Sequence, residues 1–403
     1  MGHLARVAAG RTSLPLRLLG ACTLAGACGL RQVPLAPPAA ALQCRAAVSP
    51  DGAPAHIEWR VPVDPSERAR LAAWCAAAGP PVVDVLPRDA RAPADEHAAI
   101  TATEEDEGNH AIAARAGRTV VDHLAVVSWN VHVDGGDLLR FVRDLRAGRF
   151  TRGRPVRHFV LLLQEAWRAG PRVPLRPPEG ARFPRGIDAG PSGRGPLDIV
   201  AAARVLGLSL YYAPSMRNGE GGDGDRSAAD RGNAILSTLP LADPIAVELP
   251  FEHQRRVAVM ATLRAAGAEG VPLELPVVSV HLDALARRQR LWIPTAIAAR
   301  GRQARALGEV LPRNGPLVLG GDLNTWFGPG EPAVQVLMRH FPRTPRPPRQ
   351  PTAALGRLLD YLFFRPPAGW RAEYWRVTSK YGSDHHPLVG WLEPFGPRVS
   401  GAI

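Results

Sequence analysis

The chain has 403 residues, 46% of them hydrophobic, and a formal net charge of +12. That length supports one large core plus an N-terminal extension, and its four cysteines lack metal-type spacing, which argues against a thiolate zinc site. The positive charge is almost wholly arginine, with Lys380 the one lysine; it suits phosphate or an anionic surface, but alanine, glycine and proline are abundant too, so charge alone does not specify nucleic acid.

Arg6, Arg11 and Arg17 lead into an apolar stretch, Leu18 to Leu30, that is short for a membrane span. Residues 1–30 therefore read as an export segment. Leu19-Gly20-Ala21-Cys22 and Ala25-Gly26-Ala27-Cys28 resemble a lipobox, in which the cysteine carries a lipid anchor. The expectation is an exported protein (periplasmic, membrane-anchored or secreted), with a cytoplasmic chain carrying an alanine-rich tail as the alternative. Cys44 and Cys75 then either pair in an oxidising compartment or serve as small buried hydrophobes.

Residues 31–118 read as a linker and a small extension. Val33 to Ala41 is rich in proline and alanine, and Arg88 to Glu107 is polar and acidic, a flexible connection. Between them Ile57, Trp59 and Val61 precede a short amphipathic helix carrying Leu71, Trp74 and Cys75. Residues 119–396 form the expected catalytic domain and 397–403 a tail.

In that domain strands are predicted at Val120–Trp129, His158–Leu163, Leu208–Ala213, Ala234–Thr238, Arg256–Leu263, Leu275–His281, Pro316–Gly320, Leu358–Phe364, Arg371–Thr378 and Pro387–Leu392. Helices are predicted at Gly136–Ala147, Leu197–Leu206, Ala286–Leu311 and Pro332–His340. So many strands suit two packed sheets flanked by helices. Arg168–Gly195, Met216–Arg231 and Pro342–Pro351 read as loops. The aspartates at 223 and 225 in the second lack a calcium loop's ligand pattern. The third carries Arg343, Arg346 and Arg349.

The chemistry gathers where apolar runs end. Gln164-Glu165 closes Val160–Leu163, and a carboxylate at that exit needs a cation, from a metal or an arginine. Gly320-Gly321-Asp322-Leu323-Asn324 follows Pro316–Leu319. The glycines are expected to let backbone approach a ligand, and Asp322 and Asn324 to share a face if the strand continues. Asn130 ends another run and His281 a third. Asp360 lies inside the apolar stretch Leu358–Phe364, where an imidazole is its natural partner; His385 of Ser383-Asp384-His385-His386-Pro387 is the candidate. Such amide, carboxylate and imidazole groups suit hydrolysis of a phosphate ester assisted by a hard cation. Trp326 and Phe327, just beyond Asn324, read as a stacking or lipid-facing pair or as core.

Taken together, Ser128-Trp129-Asn130-Val131, Leu163-Gln164-Glu165, Gly232-Asn233-Ala234-Ile235-Leu236-Ser237, Val280-His281-Leu282, Gly321-Asp322-Leu323-Asn324, Leu359-Asp360-Tyr361 and Ser383–Pro387 resemble the endonuclease/exonuclease/phosphatase superfamily, the DNase I-like fold. The resemblance covers roughly Val120 to Leu392. It implies an α/β four-layer sandwich: two packed mixed β-sheets flanked by helices. It implies Mg²⁺ (or Mn²⁺ or Ca²⁺) held by Glu165 with Asn130, Asp322 and Asp384. His385, oriented by Asp360, and Asp322 become the acid–base groups, with His281 and Asn324 also catalytic. Asn130, Asn233, Asn324 and His281 become the substrate contacts. The implied reaction is metal-dependent phosphodiester hydrolysis, as in a nuclease, with a sphingomyelinase- or phosphoinositide-phosphatase-like lipid hydrolase as the alternative and a non-catalytic binding protein as a third reading. The expected substrate is a nucleic acid or a phospholipid, and the expected state a monomer. One departure stands out: where exonuclease III-like enzymes commonly carry an aspartate, this chain has His132, which sets the DNA-repair subgroup in doubt.

Overall fold

A computed structural model describes residues 35–36, 45–62, 65–85, 120–133, 135–176, 197–218, 228–267, 272–284, 292–353 and 356–395. The expected export segment with Cys22 and Cys28, the 88–107 connection, Cys44, most of the 168–195 and 216–231 loops, the start of the helix placed at 286 and the tail lie outside these residues.

The strands are β1 (Leu35–Ala36), β2 (Glu58–Pro62), β3 (Val82–Asp84), β4 (Val120–Val121), β5 (Leu124–Asn130), β6 (Phe159–Ala169), β7 (Ser209–Asn218), β8 (Ala229–Ser237), β9 (Leu241–Glu248), β10 (Val257–Gly267), β11 (Pro272–His281), β12 (Leu317–Asp322), β13 (Asp360–Arg365), β14 (Trp370–Arg376) and β15 (Leu388–Pro394). The helices are α1 (Pro65–Ala76), α2 (Leu138–Arg146), α3 (Ile199–Leu206), α4 (Trp292–Val310) and α5 (Pro332–His340). One sheet runs β1-β2-β9-β10-β11-β12-β13, with β4 beside β10; the other runs β14-β15-β5-β6-β8-β7-β3.

Period-two alternation builds three cores, and so four layers. Val126 and Leu162 face Val259, Val277, Val318 and Phe364 of the other sheet. Their neighbours Val127 and Leu161 point away, onto Phe141, Val142 and Leu145 of α2 and Ala203 of α3. On the far side, Val278, Leu319 and Phe363 meet Leu307 of α4 and Leu337 of α5. Central strands buried on both faces read as continuous apolar runs, which is why β5 and β6 were visible in the sequence. The two helices on that outer face, α2 and α3, start at capping aspartates: Asp137 accepts from Arg140 N and Asp198 from Ala201 N.

Three strand readings change. β9 was not predicted, because Asp243-Pro244 breaks its alternation; Asp243 takes a left-handed φ of 50°, and the partner strand slips register between Met260 and Thr262. The stretch from Val120 divides at Asp122-His123 into β4 and β5, which join different sheets. Gly320 has a packing reason of its own. A Cβ there would lie 2.8 Å from Ser128 Cβ and 2.9 Å from Leu162 Cδ1, so it lets the two sheets close; at Gly321 a Cβ would lie 2.2 Å from Val280 O.

The N-terminal extension is part of this architecture. β2 pairs with β9 in one sheet and β3 with β7 in the other. Asp230, fully buried, accepts from Gly79 N at 2.8 Å and from Tyr212 Oη at 2.8 Å, and pairs with Arg168. Arg168 also donates to Pro80 O at 2.6 Å. Asp230→Ala would strand a buried guanidinium, at about 3–5 kcal/mol, and should lower the urea midpoint accordingly; an unchanged midpoint would show that this knot does not hold the extension.

Candidate active site

Strand register brings the first three groups together. His281 on β11 lies opposite Asp322 on β12, and Asp322 opposite Asp360 on β13. Paired residues on neighbouring strands share a sheet face, so an imidazole and two carboxylates stand in one row. All are buried. From the other sheet, Asn130 closes β5, and the turn before β15 delivers Ser383, Asp384 and His385. Ser383 Oγ donates to Asn130 O at 2.7 Å and accepts from His385 N at 3.0 Å, fastening the two motifs to each other.

His385 Nδ1 donates to Asp360 Oδ2 at 2.8 Å. Nε2 then faces Asp322 Oδ2 at 3.8 Å and Asp384 Oδ1 at 3.9 Å. Asp360 is itself pinned, since Thr352 Oγ1 accepts from Leu359 N and Asp360 N. Asn130 Nδ2 donates to Asp322 Oδ2 at 3.0 Å. Asn324 does not reach Asp322 by strand alternation. β12 ends at Asp322, and Asn324 turns to a φ of 52°, its N–H donating to Asp322 Oδ1 at 2.8 Å. That turn aims Asn324 Nδ2 at Leu282 O (3.1 Å) and His281 Nε2 (2.9 Å). Nε2 of His281 therefore accepts here. His386 donates to Val377 O at 3.0 Å and ties the turn to β14.

Burial alone would strip the proton from His385, but the carboxylates of Asp360 and then Asp322 overrule it and hold its pKa up at about 10. Burial is likewise the main influence on Asp322, and with the Asp360 charge it outweighs His385, Asn130 and Asn324, raising it to about 7. His281 is pushed well below its ordinary value by burial, with Arg256, His385 and Arg231 adding to it, and stays neutral.

Glu165 enters from β6 by a different device. The register of β6 against β8 slips between Leu163 and Ala166, and Glu165 takes a φ of 53° in that bulge. A non-glycine residue there stores roughly 1–2 kcal/mol of strain. Its Oε2 is buried without a hydrogen bond, Arg231 Nη1 being 3.7 Å away. Glu165 lines a small pocket with Arg231, Asn233, Arg256 and His281. Asn233 donates to Val257 O at 2.7 Å, and its Oδ1 is buried without a partner.

These donors fit a hard divalent cation. The free oxygen of Glu165 is the clearest sign, and the remaining candidates Asn130, Asp322 and Asp384 offer oxygen. Asp322, Asp360 and His385 also bring ligand atoms within 4.8 Å of one another, but the 2.8 Å hydrogen bond commits one Asp360 oxygen to Nδ1 of the imidazole. Asp384 is half exposed, and its Oδ1 lies 3.2 Å from His132 Nδ1.

Thus Asn130, His281, Asp322, Asn324, Asp360, Asp384 and His385 form one chain of contacts, with Glu165 and Asn233 joined to it across the pocket. Thr352, Arg231 and Arg256 were missed. In a chain so rich in arginine, neither Arg231 before Gly232-Asn233 nor Arg256 at the head of an apolar run carried contrast. Trp326 lies under the Arg357 guanidinium at 3.5 Å, and Phe327, Arg343, Arg346 and Arg349 are exposed.

The sequence matches the Endonuclease/Exonuclease/phosphatase family over residues 127–385. No curated protein matches it. Among solved structures, an endonuclease/exonuclease/phosphatase from Beutenbergia cavernae is 19% identical, with 68% of this chain and 72% of that one covered and a TM-score of 0.46. Sphingomyelinase C from Streptomyces griseocarneus is 17% identical (67% and 99% covered, TM-score 0.38). The 3′ phosphatase NExo from Neisseria, bound to a product DNA hairpin, is 15% identical (66% and 98% covered, TM-score 0.37). At such values none of these bears on the substrate.

Replacing the partner should release the imidazole. In Asp360→Asn the first force holding the His385 proton is gone and burial acts with less opposition, so its pKa should drop from about 10 toward or below 6.5, read by NMR titration of the metal-free protein. Native His385 keeps a proton that the unfolded chain loses between pH 6.5 and about 10. Its contribution to stability is therefore full below that window and lost as pH rises through it; the variant should show a flatter dependence. An Asp360→Asn protein whose His385 is still charged at the upper end of the window would refute the assignment.

Proposed function

We propose that this chain, which belongs to the endonuclease/exonuclease/phosphatase family, is a divalent-cation-dependent hydrolase of phosphate esters. The observation that carries the reading is the buried row of His281, Asp322 and Asp360 completed by His385 from the opposite sheet. A binding protein would gain nothing from two buried carboxylates clasping an imidazolium beside a carboxylate left without a hydrogen bond.

Glu165, with Asn130, Asp322 and Asp384, would hold the cation. When bound, it neutralises phosphoryl oxygens and polarises the ester. The protein's own groups divide the proton work. A general base is most effective with a pKa near the working pH. Asp322, at about 7, meets that condition, whereas His385, at about 10, is already protonated. Asp322 is thus the base toward the attacking water. His385 Nε2–H faces the same centre and stabilises charge on the phosphate or gives its proton to the departing oxygen. Asn130 and Asn324 hold the two oxygens of Asp322 in place.

Nucleic acid and phospholipid are the two substrate classes in question. We also propose export, for which the disulfide at Cys75 speaks, since such bonds persist in oxidising compartments. Among the described residues no helix is long and apolar enough to cross a membrane. Mass spectrometry of the mature N-terminus would reveal cleavage or lipidation; an intact Met1 would end that part of the proposal.

Purified protein with Mg²⁺ should hydrolyse p-nitrophenyl phosphate or its bis ester, lose the activity in EDTA and regain it on adding metal. Glu165→Ala, Asp322→Ala and His385→Ala should stay folded by circular dichroism. Losing a proton-transfer group should lower kcat by ~10²–10⁴-fold. Wild-type turnover by His385→Ala, or turnover indifferent to EDTA, would overturn the reading.

A further inference from the structure

Arg256 is almost wholly buried, at 5% exposure, and makes no ion pair or hydrogen bond among the described residues. Its nearest opposing charges, Asp283, Glu165 and Asp322, act on it only at longer range. The strongest of them, Asp283, has one oxygen engaged: its Oδ2 accepts from His253 N at 2.8 Å and lies 3.0 Å from His253 Nδ1, while its Oδ1 is buried without a hydrogen bond. Of the Arg256 nitrogens, Nε alone is sealed without a partner, so the forked Nη end is what meets the pocket shared with Glu165, Arg231, Asn233 and His281. Burying an unpaired guanidinium is costly. A neutral side chain would suit a purely structural role better. The neighbouring Arg255 shows the contrast, since it is buried against Glu248.

Arg231 adds a second guanidinium. Its nearest carboxylate is Glu165, 3.7 Å away. Once Glu165 serves a divalent cation, two guanidinium forks face one small cavity. Arg forks match the paired oxygens of a phosphate. The cavity is small and partly open, and two guanidiniums balance the double negative charge of a terminal phosphate, where a diester carries only one.

We propose that Arg256 and Arg231 form an anion subsite that grips the non-bridging oxygens of the scissile group and selects a dianionic terminal phosphate, a phosphate monoester, over the phosphodiester suggested by the sequence motifs. The proposal rests on the hydrolase reading for its chemistry but not for its binding. Water attacks phosphorus, the P–O bond to the alcohol breaks, the alcohol leaves with a proton, and inorganic phosphate is released. That product occupies the same subsite.

The test is the binding of inorganic phosphate to metal-free protein, followed by ³¹P NMR or calorimetry, alongside thermal melting. A charge-assisted pair contributes about 1.5–3 kcal/mol, so Arg256→Gln should bind phosphate roughly 10–100-fold more weakly. Its Tm should equal or exceed that of the wild type, because the buried charge is gone. Arg256→Lys keeps the charge without the fork and should bind with intermediate affinity. With Mg²⁺, wild-type kcat/KM should favour p-nitrophenyl phosphate over its bis ester, and Arg256→Gln should raise KM for the monoester at least tenfold. Unchanged phosphate affinity in Arg256→Gln, or a lowered Tm, would overturn the subsite. A wild-type preference for the bis ester would overturn the monoester selection. Phosphate bound through Arg256 with neither ester hydrolysed would instead remove the hydrolase reading and leave the subsite standing.

Discussion

Two carboxylates buried opposite each other on adjacent strands cannot both stay charged without a cation between them. Asp322 and Asp360 are such a pair. The compensating charge belongs to neither of their strands. It comes from His385, in the turn that feeds β15 of the other sheet. The electrostatic demand of one sheet is met by the other, and the reactive groups have to assemble where the two sheets end together. Ser383, bonded to Asn130 O and His385 N, sets the height of that turn. Gly320 lets the sheets approach closely enough for the imidazole to span the gap.

The rest of the centre is held at some expense in conformation. Glu165, Asn324 and His132 take left-handed backbone angles of 53°, 52° and 52°, and none is glycine. For Asn324 the Asp322 hydrogen bond compensates locally. For Glu165 the bulge turns a carboxylate from the strand toward the pocket and leaves one oxygen without a donor. Strain and unsatisfied polarity in the same residue are what a ligand site stores in advance of its ligand.

Much of this was legible because buried strands are apolar and chemistry is not. Each of Asn130, Glu165, His281 and Asp322 ends a run of valine and leucine, and a polar residue there stands out against its neighbours. Asp360 was conspicuous for the same reason. What escaped has a common cause. β9 carries Asp243-Pro244, so its alternation fails although its pairing survives. The bulge at Glu165 depends on the partner strand and leaves no local mark. Gly320 looked like a ligand glycine because the facing sheet cannot be seen from one strand. That the extension packs on the catalytic domain could not be read from the sequence, because β2 and β3 are short and their partners lie far along the chain.

Arg231 and Arg256 escaped for the opposite reason: the residue type is too common here for any one copy to be notable. Burial supplies the missing contrast. An exposed arginine is solvated and uninformative, whereas Arg256 is enclosed without an ion pair or hydrogen bond among the described residues. The centre then has two halves with opposite deficits. On one side, Asp322, Asp360 and Asp384 outnumber the imidazolium of His385, and Glu165 keeps an oxygen without a donor; on the other, the Arg256 guanidinium lacks a paired anion. A metal ion and a phosphate correct both deficits at once, and neither does so alone. On this account cation and phosphate each strengthen the other's binding, through the field that Glu165, Arg231 and Arg256 set up across one small cavity.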